Sequence, residues 1–260
     1  MNIIEEIIRL SAIPMTPPKP YGLFHLIFFT VGFTLSILIA RRLKNLSEGA
    51  SRRLIFGVGL FLALCEIYKQ LFYFYVIGNH SYQWWIFPFQ MCSIPMYFCL
   101  IAPLLREGKL RRGMFDFMFS YNLLGGFISF FEPSGLIHDY LFLTLHAFVW
   151  HMSLIFLGVY LGFSGKAGCE KKDYKSATVT FLGLCAVAFL INVALWNVSG
   201  GEVNMFFIGP ANSSLAVFKV IAERCGWYVS TLLYIPCVCL GAYLTFLPFK
   251  MGRQRLKAMP

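Results

Sequence analysis

Seven apolar stretches, each close to the length that crosses a bilayer, divide the 260-residue chain. They fall at about 21–40, 54–77, 84–105, 114–131, 137–162, 176–197 and 226–248. Lipid offers no partner to a backbone N–H or C=O, so such runs must fold as helices. The spacing predicts an all-α fold, a seven-transmembrane-helix bundle forming one domain over 1–260. Hydrophobic residues make up 58% of the chain and charged residues only 13%, which excludes a disordered chain and an ordinary soluble domain. The protein is expected to be an integral, multi-pass membrane protein, in the cell membrane if the cell is bacterial. Ahead of the first span, residues 2–11 set Ile3, Ile4, Ile7, Ile8 and Leu10 on one side and Glu5, Glu6 and Arg9 on the other. That pattern predicts an interfacial amphipathic N-terminus over 1–18, and without a basic n-region it does not read as a signal peptide.

Charge sets the expected orientation. Arg41, Arg42, Lys44, Arg52 and Arg53 follow the first span, and Arg106, Lys109, Arg111 and Arg112 follow the third. Lys166, Lys171, Lys172 and Lys175 follow the fifth, and Lys250, Arg253, Arg255 and Lys257 follow the last. The alternate loops carry mainly Asn79, His80, Glu132, Asp139, Glu202 and Glu223, with Lys219 and Arg224 as exceptions. Basic loops stay in the cytoplasm, which puts the N-terminus outside and the C-terminus inside and requires an odd number of crossings. Anionic inner-leaflet lipids at these loops account for the net charge of +10 without any nucleic acid as partner.

A polar side chain at membrane depth is costly and usually faces the bundle interior. The set comprises His25; Glu66, Lys69 and Gln70; Gln90 and Cys92; Asp116 and Asn122; His146 and His151; and Asn192. Counted from the outer end of each span, depth is about 9 Å for Asn192, 12 Å for Cys92, 13 Å for Lys69 and His146, 18 Å for Glu66 and 21 Å for His151. The set gathers in the outer half, with Asp116 apart as a solvated helix end near the basic face. Glu66 and Lys69, three apart, read equally well as a self-neutralising pair. Gln90 and Asn192 read most simply as bridges between helices.

The segment 88–95, PFQMCSIP, places two prolines, an amide and a thiol inside one expected span. Pro88 and Pro95 would each remove a helix hydrogen bond and bend the helix. A thiol, an imidazole and a carboxylate at one depth are the parts of a nucleophilic site. The thiolate attacks an ester, forms a thioester, and passes the acyl group to a second alcohol. In the outer leaflet the esters at hand are membrane phospholipids. The same side chains could ligate zinc, but no tight His spacing supports a metal, and no cofactor is called for. The rival class is a non-enzymatic lipid or small-molecule binder, or a transporter, with a polar pocket inside the membrane. No lysine in the last span could carry a retinal Schiff base, and no internal repeat of the transporter kind is visible. The pattern carries no information on oligomeric state.

The order of these residues resembles the YwaF-like integral membrane proteins, the family that includes human transmembrane protein 164. His25 in YGLFH, Glu66 and Gln70 in CEIYKQ, and Pro88, Gln90 and Cys92 in PFQMC follow its motifs. So do Gly125 and Gly126 before Pro133, and His151 in FVWH. A final stretch runs from Asn192 through Asn204, Met205, Phe206 and Pro210 to Ser214 and Leu215. The human relative is an acyltransferase that places polyunsaturated chains on ether lysophospholipids, with a diacyl phospholipid as donor. The resemblance implies Cys92 as nucleophile, His151 as general base and Glu66 as the group that orients it. Gln90 or Asn192 would stabilise the oxyanion, while Gln70, His25, His146 and Asn204 would support the site. Gln90 stands where some relatives carry His and cannot serve as a base. Depth alone favours His146 over His151, so His146 stays in reserve. The outer loop 198–222, with Asn204, Pro210, Ser213 and Ser214, is expected to fold back over the site as a lid or as a contact for the acceptor head group, against the plainer reading of an ordinary polar loop outside the membrane.

Overall fold

In the structure, a computed structural model, residues 2–258 are described, with side chains described as far as Arg253. Arg255 and Lys257 of the basic tail lie outside the described side chains. A short helix α1 (Ile3–Leu10) precedes α2 (Leu23–Leu43) and α3 (Glu48–Phe72), which ends in a π turn at Tyr73–Ile77. After α4 (Ile94–Ile101) come α5 (Lys109–Phe131), α6 (Leu141–Phe163), α7 (Lys171–Ala194), α8 (Ala216–Cys225) and α9 (Trp227–Ala258). Six helices are long and apolar enough to cross a membrane: α2, α3 with its π turn, α5, α6, α7 and α9. Among the described residues there is no strand, only an isolated bridge between Pro14 and Tyr140.

The expected third span, 84–105, is not one helix. It is a 3-10 turn at Trp84–Ile86, an irregular run over 87–93, the short helix α4 and a second 3-10 turn at Ala102–Leu104. The other spans begin or end a few residues from the hydropathy limits, and at α3 and α7 polar caps carry the helix ahead of the apolar run. Ser47 accepts from Ala50 N at 3.3 Å at the head of α3. Glu170 and Asp173 form a reciprocal capping box at the head of α7.

Helix α5 is the centre of the bundle, packed against α4, α6, α7 and α9 and buried on nearly every side. Small residues let it meet α6 closely. A side chain at Gly158 would meet Leu123 at 2.8 Å, one at Gly162 would meet Phe119 at 2.6 Å, and one at Gly126 would meet Ile155 at 2.8 Å. Helices α3 and α4 meet the same way, since a Cβ at Gly59 would lie 2.9 Å from Cys99 Cβ and 3.0 Å from backbone atoms.

The helix ends gather at two opposite poles. At the basic pole Glu48 accepts from Arg52 Nε at 3.0 Å, from Lys166 Nζ at 2.6 Å and from Arg111. Arg52 also donates to Pro103 O at 3.1 Å, and Arg112 pairs with Asp173 at 2.5 Å. Asp116, expected as a solvated helix end, is buried and accepts from Gly168 N at 3.0 Å, which fixes the 164–170 loop. At the opposite pole Tyr21 OH donates to Phe131 O at 2.6 Å, Met15 N to Asp139 O at 2.8 Å, and Trp84 N to Glu202 at 3.3 Å. There α1 leaves Ile3, Ile4, Ile7 and Leu10 exposed. Ile8 and Glu5 turn inward, and Glu5 takes Arg9 at 2.9 Å and His80 at 3.3 Å. Glu5 was expected on the polar face; its ion pairs explain its burial.

Two glycines one helical half-turn apart test the close packing. Gly59→Ala is expected to destabilise the detergent-solubilised protein by about 1–3 kcal/mol, because backbone cannot move aside for the methyl group. Nothing lies within 4 Å of a Cβ at Gly57, so Gly57→Ala is expected to be neutral or to stabilise by about 0.5–1 kcal/mol through helix propensity. Thermal melting followed by circular dichroism separates the two.

Candidate functional site

The prolines of the third segment bound a break rather than bend a helix. Pro88 lies in the irregular run, and Pro95 sits in the first turn of α4, where no N–H is needed. Backbone carbonyls freed by the break are taken up by side chains. Tyr97 OH donates to Pro88 O at 2.7 Å, and Trp150 Nε1 donates to Cys92 O at 3.1 Å. Ser93 N closes the turn onto Gln90 O at 2.8 Å. Cys92 is therefore held two residues ahead of α4. Its carbonyl is fixed to the residue that precedes His151 on α6.

Helix α3 brings a buried carboxylate to the same region. Glu66 Oε1 takes Lys69 Nζ at 2.9 Å and Gln70 Nε2 at 2.7 Å, while its Oε2 is buried without a partner among the described residues. Gln70 Nε2 also donates to Ile86 O at 2.8 Å and so ties α3 to the turn that leads into the break. The Glu66–Lys69 pair is present, but neutralisation is not all that Lys69 does. Its charge lies within electrostatic reach of Cys92, His146 and His151. The sequence counts Lys69 in the polar set but gives it no role at the site. An i, i+3 partner of opposite sign hides such a residue, and only its depth, shared with Cys92, could have pointed to it.

The histidines differ in what their ring nitrogens do. His151 Nδ1 lies 2.8 Å from Ala147 O. A carbonyl can only accept, so Nδ1 carries the proton and Nε2 keeps its lone pair. His146 stacks on Trp150 with ring centroids 5.6 Å apart and leaves Nε2 buried and unpartnered among the described residues. His25 stands apart. Its Nδ1 accepts from Tyr21 N at 3.0 Å, and its ring packs against Phe130 and Phe148 at the start of α2. None of its hydrogen bonds or ring contacts among the described residues is to Cys92, Glu66 or His151.

The outer loop turns back into the bundle. Val203, Met205, Phe206 and Ile208 are all buried, and α8 takes up the residues that follow. Two amides clamp this re-entrant turn. Asn192 donates to Met205 O at 3.0 Å and to Ile208 O, and accepts from Met205 N at 2.6 Å. Gln90 donates to Asn204 O at 2.9 Å and accepts from Phe206 N at 2.9 Å. Asn204 donates to Asn212 O at 3.1 Å and leaves Oδ1 buried without a partner among the described residues. Phe206 and Phe207 both have φ 57°, a left-handed conformation costing about 1–2 kcal/mol per non-glycine residue. Gly209, at φ 144°, closes the turn where any Cβ would lie 2.8 Å from Asn192 Nδ2.

Two groups thus adjoin each other through the break. Cys92, Glu66, Lys69, Gln70, His146 and His151 form a polar neighbourhood, and Gln90, Asn192 and Asn204 form the clamp beside it. Gly125 and Gly126 serve both, since Met91 Cε and His151 O lie 3.2 Å from where their respective side chains would begin. Among the described residues no group of three or more His, Cys, Asp or Glu side chains is placed to hold a metal ion.

Removing the clamp should release the turn before it unfolds the bundle. Asn192→Leu leaves the Met205 and Ile208 groups buried and unpaired, a cost of about 1–3 kcal/mol per group. Hydrogen–deuterium exchange is expected to rise over 203–209 and to stay unchanged in α5 and α6. Unchanged exchange over 203–209 would show that packing alone holds the turn.

Comparison with known proteins gives the family of the chain. A family model described as TMEM164 family matches residues 19–244. No curated protein and no solved structure matches the chain. The matched range runs from ahead of α2 into α9 and contains every residue of the polar neighbourhood and of the clamp, so this multi-pass helical membrane protein belongs to the TMEM164 family.

Proposed function

We propose that the protein is an acyltransferase that moves acyl chains between membrane phospholipids through a thioester on Cys92. One observation carries the reading. The Trp150–Cys92 hydrogen bond docks the non-helical turn bearing the thiol onto the part of α6 that bears His151, whose Nε2 lone pair is available. His151 Nε2 takes the thiol proton, and the thiolate attacks the ester carbonyl of a donor phospholipid. The tetrahedral intermediate collapses, the C–O bond breaks, and His151 returns the proton to the leaving alcohol of the lysophospholipid. A second lysophospholipid then gives its hydroxyl proton to His151 and attacks the thioester, which frees Cys92. Ionising a thiol away from water is costly; Lys69 is the group that offsets this. Glu66 holds Lys69 in place. Gln90 and Asn192, both engaged with the re-entrant turn, position it rather than supply the main oxyanion contacts.

The test is acyl exchange between a diacyl phosphatidylcholine and a lysophospholipid in proteoliposomes. Cys92→Ala is expected to lower the rate by about 10³-fold or more, and His151→Ala by about 10²–10⁴-fold. Lys69→Met should slow alkylation of Cys92 and move its onset to higher pH, because a cation that favours the thiolate is lost. If Cys92→Ser and His151→Ala keep full exchange, the set is the wall of a binding pocket and the protein is a lipid binder or transporter.

The proposal includes the topology. The segment 84–104 is the seventh crossing, with the N-terminus outside and the C-terminus cytoplasmic. In its support, Trp84 bonds to Glu202 at one pole and Pro103 O to Arg52 at the other, and the basic residues collect at the second pole. A C-terminal fluorescent reporter that folds only in the cytoplasm should light up, whereas the same reporter placed in the loop after Glu132 should stay dark. The reverse pattern overturns this orientation.

A further inference from the structure

At the basic pole a cavity of about 630 Å³ opens between the ends of α2, α6 and α9. Arg41, Lys44 and Arg253 line it above an apolar floor of Gly162, Phe163, Pro248 and Phe249, with Cys169 in the wall. The floor exists because Gly162 has no side chain: a Cβ there would lie 2.8 Å from the Phe249 ring. The Arg41 guanidinium sits over the Phe163 ring, 5.6 Å from its centroid. Arg253 Nη2 occupies the space above Gly165, 2.6 Å from where a Cβ would be.

Several other cations of this pole have carboxylate partners, whereas Arg42, Arg53 and Lys109 have none within ion-pair distance among the described residues but do not line the cleft. Glu48 serves Arg52, Arg111 and Lys166; Asp116 and Asp173 serve Arg112; Glu170 pairs with Lys172 at 2.9 Å. Arg41, Lys44 and Arg253 have no carboxylate within ion-pair distance among the described residues. Burial pushes the Cys169 thiol up, so this wall adds no negative charge at neutral pH. Three uncompensated cations thus face one cleft whose lower wall is aromatic, at the depth where two membrane helices emerge into the headgroup layer.

We propose that this cleft is a binding site for one anionic phospholipid of the adjoining leaflet. The phosphate sits among Arg41, Lys44 and Arg253, and the first carbons of an acyl chain lie on Phe163, Pro248 and Phe249. Arginine suits this role because its planar fork grips phosphate while its face stacks on an aromatic ring. The site differs from a general attraction of basic loops to an acidic surface. It holds one lipid, it saturates, and it depends on these three cations and not on their neighbours. It does not rest on the acyl-transfer reading, since it lies at the far pole from Cys92.

The full-length chain in detergent is titrated with dioleoyl phosphatidylglycerol and followed by native mass spectrometry, with dioleoyl phosphatidylcholine in parallel. One phosphatidylglycerol is expected to bind saturably. Arg41→Ala, Lys44→Ala and Arg253→Ala should each weaken it by about tenfold, the loss of one charge-assisted phosphate contact. Arg42→Ala, on the same turn of α2 but off the cleft, should leave it within about twofold. All four positions are exposed, and matched melting temperatures will exclude misfolding. If Arg42→Ala weakens binding as much as the other three, only a diffuse surface potential exists and the site is refuted. Equal binding of phosphatidylcholine would leave an apolar cleft without charge recognition and would refute it as well.

Discussion

No backbone polar group can stay unpaired at membrane depth, and this chain carries two stretches, 87–93 and 203–209, that no helix ladder can satisfy. Each stretch supplies or receives what the other lacks. Gln90 belongs to the first and holds Asn204 O and Phe206 N of the second. Asn192 closes the second from below, while Tyr97 and Trp150 take the carbonyls of the first. The left-handed Phe206 and Phe207 persist because these bonds and the packing of Phe206 against Phe89 and Phe181 determine their conformation. The polar neighbourhood around Cys92 exists only because this mutual pairing lets irregular backbone sit inside the bundle.

The two poles are held by different physics. At the basic pole the helix ends are cross-linked by ion pairs that share Glu48 and Asp173, with Arg111 nearly buried. Removing Glu48 would leave Arg111 without its main counter-charge, a larger effect than loss of an exposed pair. At the opposite pole the links run mostly to backbone, through Tyr21 and the chain around Met15 and Tyr140, with Glu5 and Glu202 adding carboxylates. A pole rich in aromatic side chains suits the membrane interface.

Hydropathy made six of the long helices legible, because length and apolar composition are decisive in lipid. It misjudged their ends, where Ser47 and the Glu170–Asp173 box carry helix beyond the apolar run. It also read 84–105 as one bent helix. Composition cannot tell a proline that kinks a helix from one that starts a new one; that depends on whether Tyr97 and Trp150 arrive to take the freed carbonyls. The polar set was legible as a list but not as an arrangement. Glu66, Gln70, Cys92, His146 and His151 do share one region, yet His25 turned out to pack with phenylalanines at a helix start. Asp116 looked solvated because its partner, Gly168 N, is a backbone group that no sequence pattern announces. The clamp was invisible for the same reason, since Gln90 and Asn192 bond to main chain.

Helix α5 has a consequence for how the chain is made. It is the least apolar of the six long helices, with a mean hydropathy of 1.2 against 2.2 for α2 and 2.1 for α7. It also carries Asp116 and Asn122 into the interior. Their partners on other segments come later in synthesis: Asn122 donates to Leu154 O of α6 at 3.1 Å, and Asp116 accepts from Gly168 N, just ahead of α7. A nascent chain that has just completed α5 offers these two residues only partners on their own helix, Met118 O for Asn122 and Arg112 for Asp116. The contacts that lock the middle of the bundle are thus completed only by segments made after it.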